Sequence, residues 1–128
     1  MNAQGYMTIL HSMADSALSD QPDLLLTIST SALQSAVQRV RGTPVVFTMV
    51  SNPFGAGVAE SDPDHLANVT GAYGANDTEE MMLIIKQVMP RARRLGAMFA
   101  PTEINSVYSH DLLVASAKKA KFDWCRLV

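Results

Sequence analysis

The chain has 128 residues, 48% of them apolar and 17% charged, with a formal net charge of −2. That is the balance of a globular protein, long enough for one ordinary domain or two incomplete ones and able to bury roughly two-thirds of its unfolded surface. The charge argues against nucleic acid as a partner, since phosphate binding needs clustered Lys and Arg. The lone cysteine, Cys125, precludes an internal disulfide and a cysteine metal site.

No stretch approaches the ~20 apolar residues of a membrane span. Met1 is followed at once by Asn2, Ala3, Gln4 and Gly5, with neither a basic start nor an apolar block, so no signal peptide is expected. With Met1 as the natural start, the expected compartment is the cytoplasm.

Residues 8–19 place Ile9, Leu10, Met13, Ala14, Ala17 and Leu18 on one helical stripe. Asp20-Gln21-Pro22-Asp23 breaks that helix, because the residue before a proline disfavours helical geometry. Leu24-Leu25-Leu26-Thr27-Ile28 then reads as a strand buried on both faces, as in parallel sheets. Ser31 with Gln34 resembles a capping box opening a helix to about Arg41, with Ala32, Leu33, Ala36, Val37 and Val40 on its apolar face. Gly42 ends it, and residues 44–50 form the next strand.

A loop rich in Gly, Pro and Asp is expected from Ser51 to about Ala67, then a short strand over residues 68–72. Asp77 caps a third helix, with Glu80 at the reciprocal position and Met81, Met82, Ile85, Val88 and Met89 as its buried face. Pro90 stops it. Residues 95–100 form another buried strand, a fourth helix runs from about Ser106 to Lys121, and residues 122–128 form a last strand. Such alternation implies an α/β fold with a mostly parallel sheet, flanking helices and right-handed crossovers.

In parallel sheets, ligands sit beyond the carboxyl ends of the strands, where loops feed helix N-termini. The informative ends are Ser29-Thr30-Ser31, Val50-Ser51-Asn52-Pro53, and Pro101-Thr102-Glu103-Ile104-Asn105-Ser106. Their hydroxyl, amide and free N–H groups suit a carboxylate or another small polar group. The alternative is that Ser31, Asp77 and Asn105 or Ser106 serve only as helix caps.

Other chemistry finds less support. Gly55-Ala56-Gly57 lacks the third glycine of a dinucleotide fingerprint. His11, His65 and His110 lie far apart, without metal-ligand spacing. No GxSxG turn presents a serine nucleophile. Asp62, Asp64, Asp77, Glu79 and Glu80 fall in a loop and a helix start, where solvated or capping roles suffice. Arg91, Arg93 and Arg94 follow a helix C-terminus, where cations are favoured. Met81, Met82 and Met89 read as core filling. No catalytic residue, metal or cofactor is expected.

A collinear series of blocks resembles the ABC-transporter substrate-binding proteins related to tryptophan/tyrosine-binding components. The blocks are Asn2–Gly5, Ile28–Gln34, Thr43–Thr48, Val50–Val58, Asn68–Gly71, Ile84–Pro90 and Pro101–Val107. The resemblance implies part of a two-lobed type I periplasmic-binding-protein-like fold. Residues 1–75 would form a partial first lobe, and residues 76–128 the crossover helix and a partial second lobe. It also implies an extracytoplasmic parent protein that hands a small solute to an ABC permease.

Thr30, Ser31, Ser51, Asn52, Asn105 and Ser106 would be the ligand contacts in that mapping. Ser31 stands where the family usually has proline, and Asn52 where it usually has aspartate, a charge that can pair with a ligand amine. Relative to the family, the chain lacks the export signal, the first strand–helix unit and the rest of the second lobe. Open sheet edges then predict a homo-oligomer. The competing readings are a ligand-sensing domain of the same fold and a small flavodoxin-like or Rossmann-like enzyme.

Overall fold

The computed structural model describes residues 3–126. In chain order the elements are α1 (Ala3–Ser19), β1 (Leu25–Ile28), α2 (Thr30–Arg39), β2 (Val45–Val50), β3 (Ala59–Ser61), β4 (Asp64–His65), β5 (Val69–Tyr73), α3 (Thr78–Val88), β6 (Arg94–Ala97), α4 (Ile104–Lys119) and β7 (Asp123–Arg126). The alternation expected from the periodicity is therefore present, with flanking helices and two parallel sheets. β1, β2 and β5 form one sheet in the order β1-β2-β5, and β6 pairs with β7. The Gly-, Pro- and Asp-rich stretch is not all loop: β3 and β4 pair as an antiparallel hairpin across Asp62-Pro63.

Two apolar clusters hold the chain together. The first joins Leu33, Ala36 and Val40 of the α2 segment to Val45, Phe47, Val50 and Val69 of the sheet, with Ala56 and Val58 from the following loop. Each Val, Leu or Phe side chain among them contributes roughly 1.5–3 kcal/mol when removed from water. The second cluster joins Met82, Ala117 and Phe122, and Ile85, Leu95, Leu113 and Trp124 pack against it. α3 is tied to α4 by a buried hydrogen bond of 2.7 Å between Thr78 Oγ1 and Ser116 Oγ.

Several sequence expectations need correcting. β1 is not buried on both faces: Thr27 is buried, but Leu24, Leu26 and Ile28 are 51%, 57% and 56% exposed. Strand side chains alternate, and only the face toward α2 is covered among the described residues. On α1, Ile9 and Met13 are exposed while Leu10, Ala14, Ala17 and Leu18 are half-buried, so the packed face is rotated from the expected stripe. α3 buries Met82, not Met81, Val88 or Met89, because it meets α4 along the single line Thr78–Met82–Ile85. Leu83 and Ile84 are exposed as well. Of the expected last strand, residues 127–128 lie outside the described residues.

Helix starts differ too. Ser29, not Ser31, caps α2, its Oγ accepting from the Ala32 N–H at 3.4 Å. Asp77 caps α3 as expected, accepting from the Glu80 N–H at 2.9 Å. α4 begins after Glu103, which makes no side-chain cap bond.

Candidate functional site

The tips of β1 and β2 lie side by side because the strands are parallel and in register. Ile28 pairs with Thr48, and the Ser29 N–H donates to the Thr48 carbonyl at 3.1 Å. The first turn of α2 and the loop after β2 therefore emerge at the same sheet edge, about 4.8 Å apart by strand spacing. Thr30 is buried and Ser31 half-buried in that first turn. Ser51 and Asn52 are half-buried at the neighbouring tip.

Both tips carry backbone strain. Ser29 has φ 92° and ψ 158°, a region in which residues other than glycine are costly. Met49 has φ 57° and coincides with a shift in the β2–β5 register, the sign of a bulge. Each such residue costs about 1–3 kcal/mol, which surrounding contacts must hold in place.

The third tip meets the second. A Cβ built on Gly55 would lie 2.9 Å from Ile104 Cγ2 and 3.3 Å from Asn52 Nδ2, so glycine permits the loop after β2 to touch the first residue of α4. Asn52 Oδ1 accepts from the Gly55 N–H at 3.2 Å, which folds this loop back on itself. Ser106 Oγ accepts from the Ala100 N–H at 2.8 Å and closes the loop that leads into α4. Asn105 is half-buried between them in sequence. Among the described residues, no hydrogen bond joins Thr30 or Ser31 to Asn105 or Ser106.

This edge is chemically uneven. α2 has its cap in Ser29, whereas the first-turn N–H groups of α4 have no side-chain acceptor at Glu103. Such amides and the positive end of the helix dipole favour a carboxylate. No charged side chain belongs to the six tip residues. The arrangement supplies hydrogen bonds but neither a nucleophile–base pair nor, among the described residues, a cluster of His, Cys, Asp and Glu able to hold a metal.

The sequence reading missed a second concavity. A cavity of about 140 Å³ opens between the β3–β4 hairpin and the β2–β5 pair, with Phe54, Val58, Asp62, His65 and Tyr73 among its walls. The Phe54 and Tyr73 rings meet edge to face at 5.6 Å, and the Tyr73 hydroxyl donates to Asp62 Oδ1 at 2.9 Å. That hydrogen bond, aided by desolvation and the Asp62 charge, raises the Tyr73 pKa above its ordinary value. None of the six tip residues lines this cavity. The one available signal was Asp62-Pro63, a turn pair between residues able to form a hairpin.

The fold and these edges can be set against known proteins. A family model described as ABC transporter substrate binding protein matches residues 1–127. The chain belongs to that family. Its members are binding proteins, not enzymes. A tyrosine-binding protein of Clostridioides difficile (strain R20291) is 30% identical over 122 residues, covering 95% of this chain and 35% of that protein.

Among solved structures, an ABC domain from Streptococcus pneumoniae in complex with L-Trp has a TM-score of 0.88 at 25% identity. A conserved domain protein from Vibrio cholerae O1 biovar eltor has a TM-score of 0.87 at 30% identity. The ligand-free, open structure of a Clostridium difficile substrate-binding protein with adhesive properties has a TM-score of 0.65 at 30% identity. Each match covers 99% of this chain and 43% of the other. The chain thus spans well under half the length of these relatives, and across that length its fold is theirs: α/β and periplasmic-binding-protein-like.

Proposed function

We propose that this chain binds a small organic solute bearing a carboxylate, such as an aromatic amino acid, as the binding component of an ABC import system. Thr30, Ser31, Ser51, Asn52, Asn105 and Ser106 are the proposed contacts. The observation that carries this reading is the Gly55–Ile104 approach, which sets the β2 tip against the uncapped start of α4. In it, the solute carboxylate takes the free N–H groups of α4, and hydroxyl and amide side chains from the other two tips fix its remaining polar groups.

Residues 1–75 act as a partial first lobe and residues 76–128 as the crossover helix and a partial second lobe. The division is supported by the two apolar clusters, the first drawn from residues before 76 and the second from the crossover helix and the residues after it. The better match to the L-Trp complex than to the ligand-free, open structure, despite lower identity, supports a closed arrangement of these parts. The partner that receives the solute is an ABC permease, and the compartment is extracytoplasmic. Among the described residues no helix is long and apolar enough to cross a membrane.

The chain also self-associates in this reading. β1 is an edge strand whose outward Leu26 and Ile28 are exposed, as is Leu24 just before it, a combination that favours pairing with a second copy. Light scattering checks this: a dimer or larger species is expected, and a monomer at high concentration refutes it.

A thermal-shift screen against L-tyrosine, L-tryptophan, other amino acids, nucleotides and flavins tests the function. A solute at 100 times its Kd adds about 2.7 kcal/mol of stability. Stabilisation by an aromatic amino acid is expected. Stabilisation by nucleotide or flavin alone overturns the proposal.

A further inference from the structure

The cavity beneath the β3–β4 hairpin has a chemistry of its own. Its capacity, about 140 Å³, matches one ring-sized group and falls below the ~300–1,000 Å³ of sites for larger ligands. Its apolar walls include Phe47 and Val58, both buried, and the half-exposed Phe54–Tyr73 pair, whose ring faces carry the negative part of the quadrupole.

The anionic group in this lining is the Asp62 carboxylate, and Ser61 and Thr70 add hydroxyls that can donate or accept. Asp62 uses Oδ1 to take the Tyr73 hydroxyl proton and keeps Oδ2 uncommitted among the described residues. His65 Nδ1 lies 2.9 Å from the Leu66 carbonyl, which can only accept. Nδ1 therefore carries the proton, and in the neutral ring Nε2 is left as an acceptor. An anion would be repelled by the Asp62 carboxylate; an ammonium would meet an ion-pair partner and aromatic faces.

We propose that this cavity is a second binding site, distinct from the six proposed cleft contacts, for a small primary ammonium compound with an apolar body the size of one ring. The ammonium pairs with Asp62, and the apolar body lies against Phe54 and Tyr73. The site shares none of the six tip residues, and its Pro53 and Phe54 follow Asn52 directly in the chain.

Isothermal titration of the whole chain with phenethylamine, and with phenylacetate as an anion of similar shape, tests this. Phenethylamine is expected to bind and phenylacetate not. Asp62→Asn should weaken phenethylamine about tenfold by removing the charge, while leaving the melting temperature nearly unchanged, since an Asn amide oxygen still accepts from Tyr73. If that variant melts early, Tyr73→Phe serves instead: it frees the whole carboxylate and should bind phenethylamine at least as well as the parent chain.

Equal binding of phenylacetate, undiminished binding in Asp62→Asn, or loss of binding in Tyr73→Phe would overturn the proposal. So would equal weakening of phenethylamine by Asn105→Ala, which would put the amine in the cleft. Failure here leaves the cleft reading intact, because that reading is tested by L-tyrosine binding and its weakening in Asn105→Ala.

Discussion

Two glycines three residues apart, Gly71 and Gly74, should answer the same substitution with opposite signs. Gly71 pairs with Phe47 across β2 and β5, and a Cβ there would lie 2.3 Å from the Phe47 carbonyl oxygen and 2.5 and 2.7 Å from Phe47 Cγ and Cδ1. The carbonyl cannot step aside, because β2 is the central strand, held by β1 on its other side. Gly71→Ala should therefore cost about 3 kcal/mol, the upper part of the usual overpacking range. At this chain length 1 kcal/mol moves Tm by about 4 °C, so a fall of about 12 °C is expected.

Gly74 has open space where a Cβ would go and no left-handed φ, and its N–H donates to the Val50 carbonyl at 3.1 Å, which alanine preserves. Gly74→Ala should add about 0.5 kcal/mol by reducing the freedom of the unfolded chain. Thermal melts followed by circular dichroism read both. Equal shifts at the two positions, or a Gly71→Ala protein that melts with the parent, would refute the β2–β5 register and the close approach it imposes.

Further outcomes follow from the same geometry. Thr78→Val leaves the buried Ser116 hydroxyl without its 2.7 Å partner and should cost about 1–3 kcal/mol in urea denaturation. Ser29→Gly should raise stability by about 1 kcal/mol, relief of the φ 92° strain exceeding the weakened cap, as read by the urea midpoint. Gly55→Ala should push Ile104 from the β2 tip and weaken L-tyrosine binding about tenfold in calorimetry, with little change in the melting temperature of the unliganded chain.

The elements that were legible in the sequence are those whose spacing has one structural solution. Asp77 before an apolar 3.6-residue pattern, and Pro90 after it, bracket α3 correctly. What spacing cannot say is which neighbour covers an apolar face. Leu24, Leu26 and Ile28 look like buried residues in any parallel sheet, yet their face is open here. Met81, Val88 and Met89 fit the helical stripe equally well, but α3 touches one helix along one line. The capping error at Ser31 turned on a two-residue shift at the strand end, where Ser29 adopts a backbone conformation that favours glycine.

The neighbouring of the β1 and β2 tips was legible because parallel strands paired in register end side by side whatever their loops do. The Phe54–Asp62–Tyr73 group was not, since a hairpin brings together residues whose separations of 8 and 11 match no periodicity. In the sequence Asp62 looks like any solvated loop carboxylate, and the Tyr73 hydrogen bond distinguishes it.

The most direct test of solute binding at the strand tips is a two-dimensional amide NMR titration of this 128-residue chain with L-tyrosine. Shifts concentrated on the N–H groups of Thr30, Ser31, Ser51, Asn52, Asn105 and Ser106, saturating together with one Kd, are the predicted result. Saturable shifts confined to the hairpin, or spread over faces remote from that sheet edge, would contradict it.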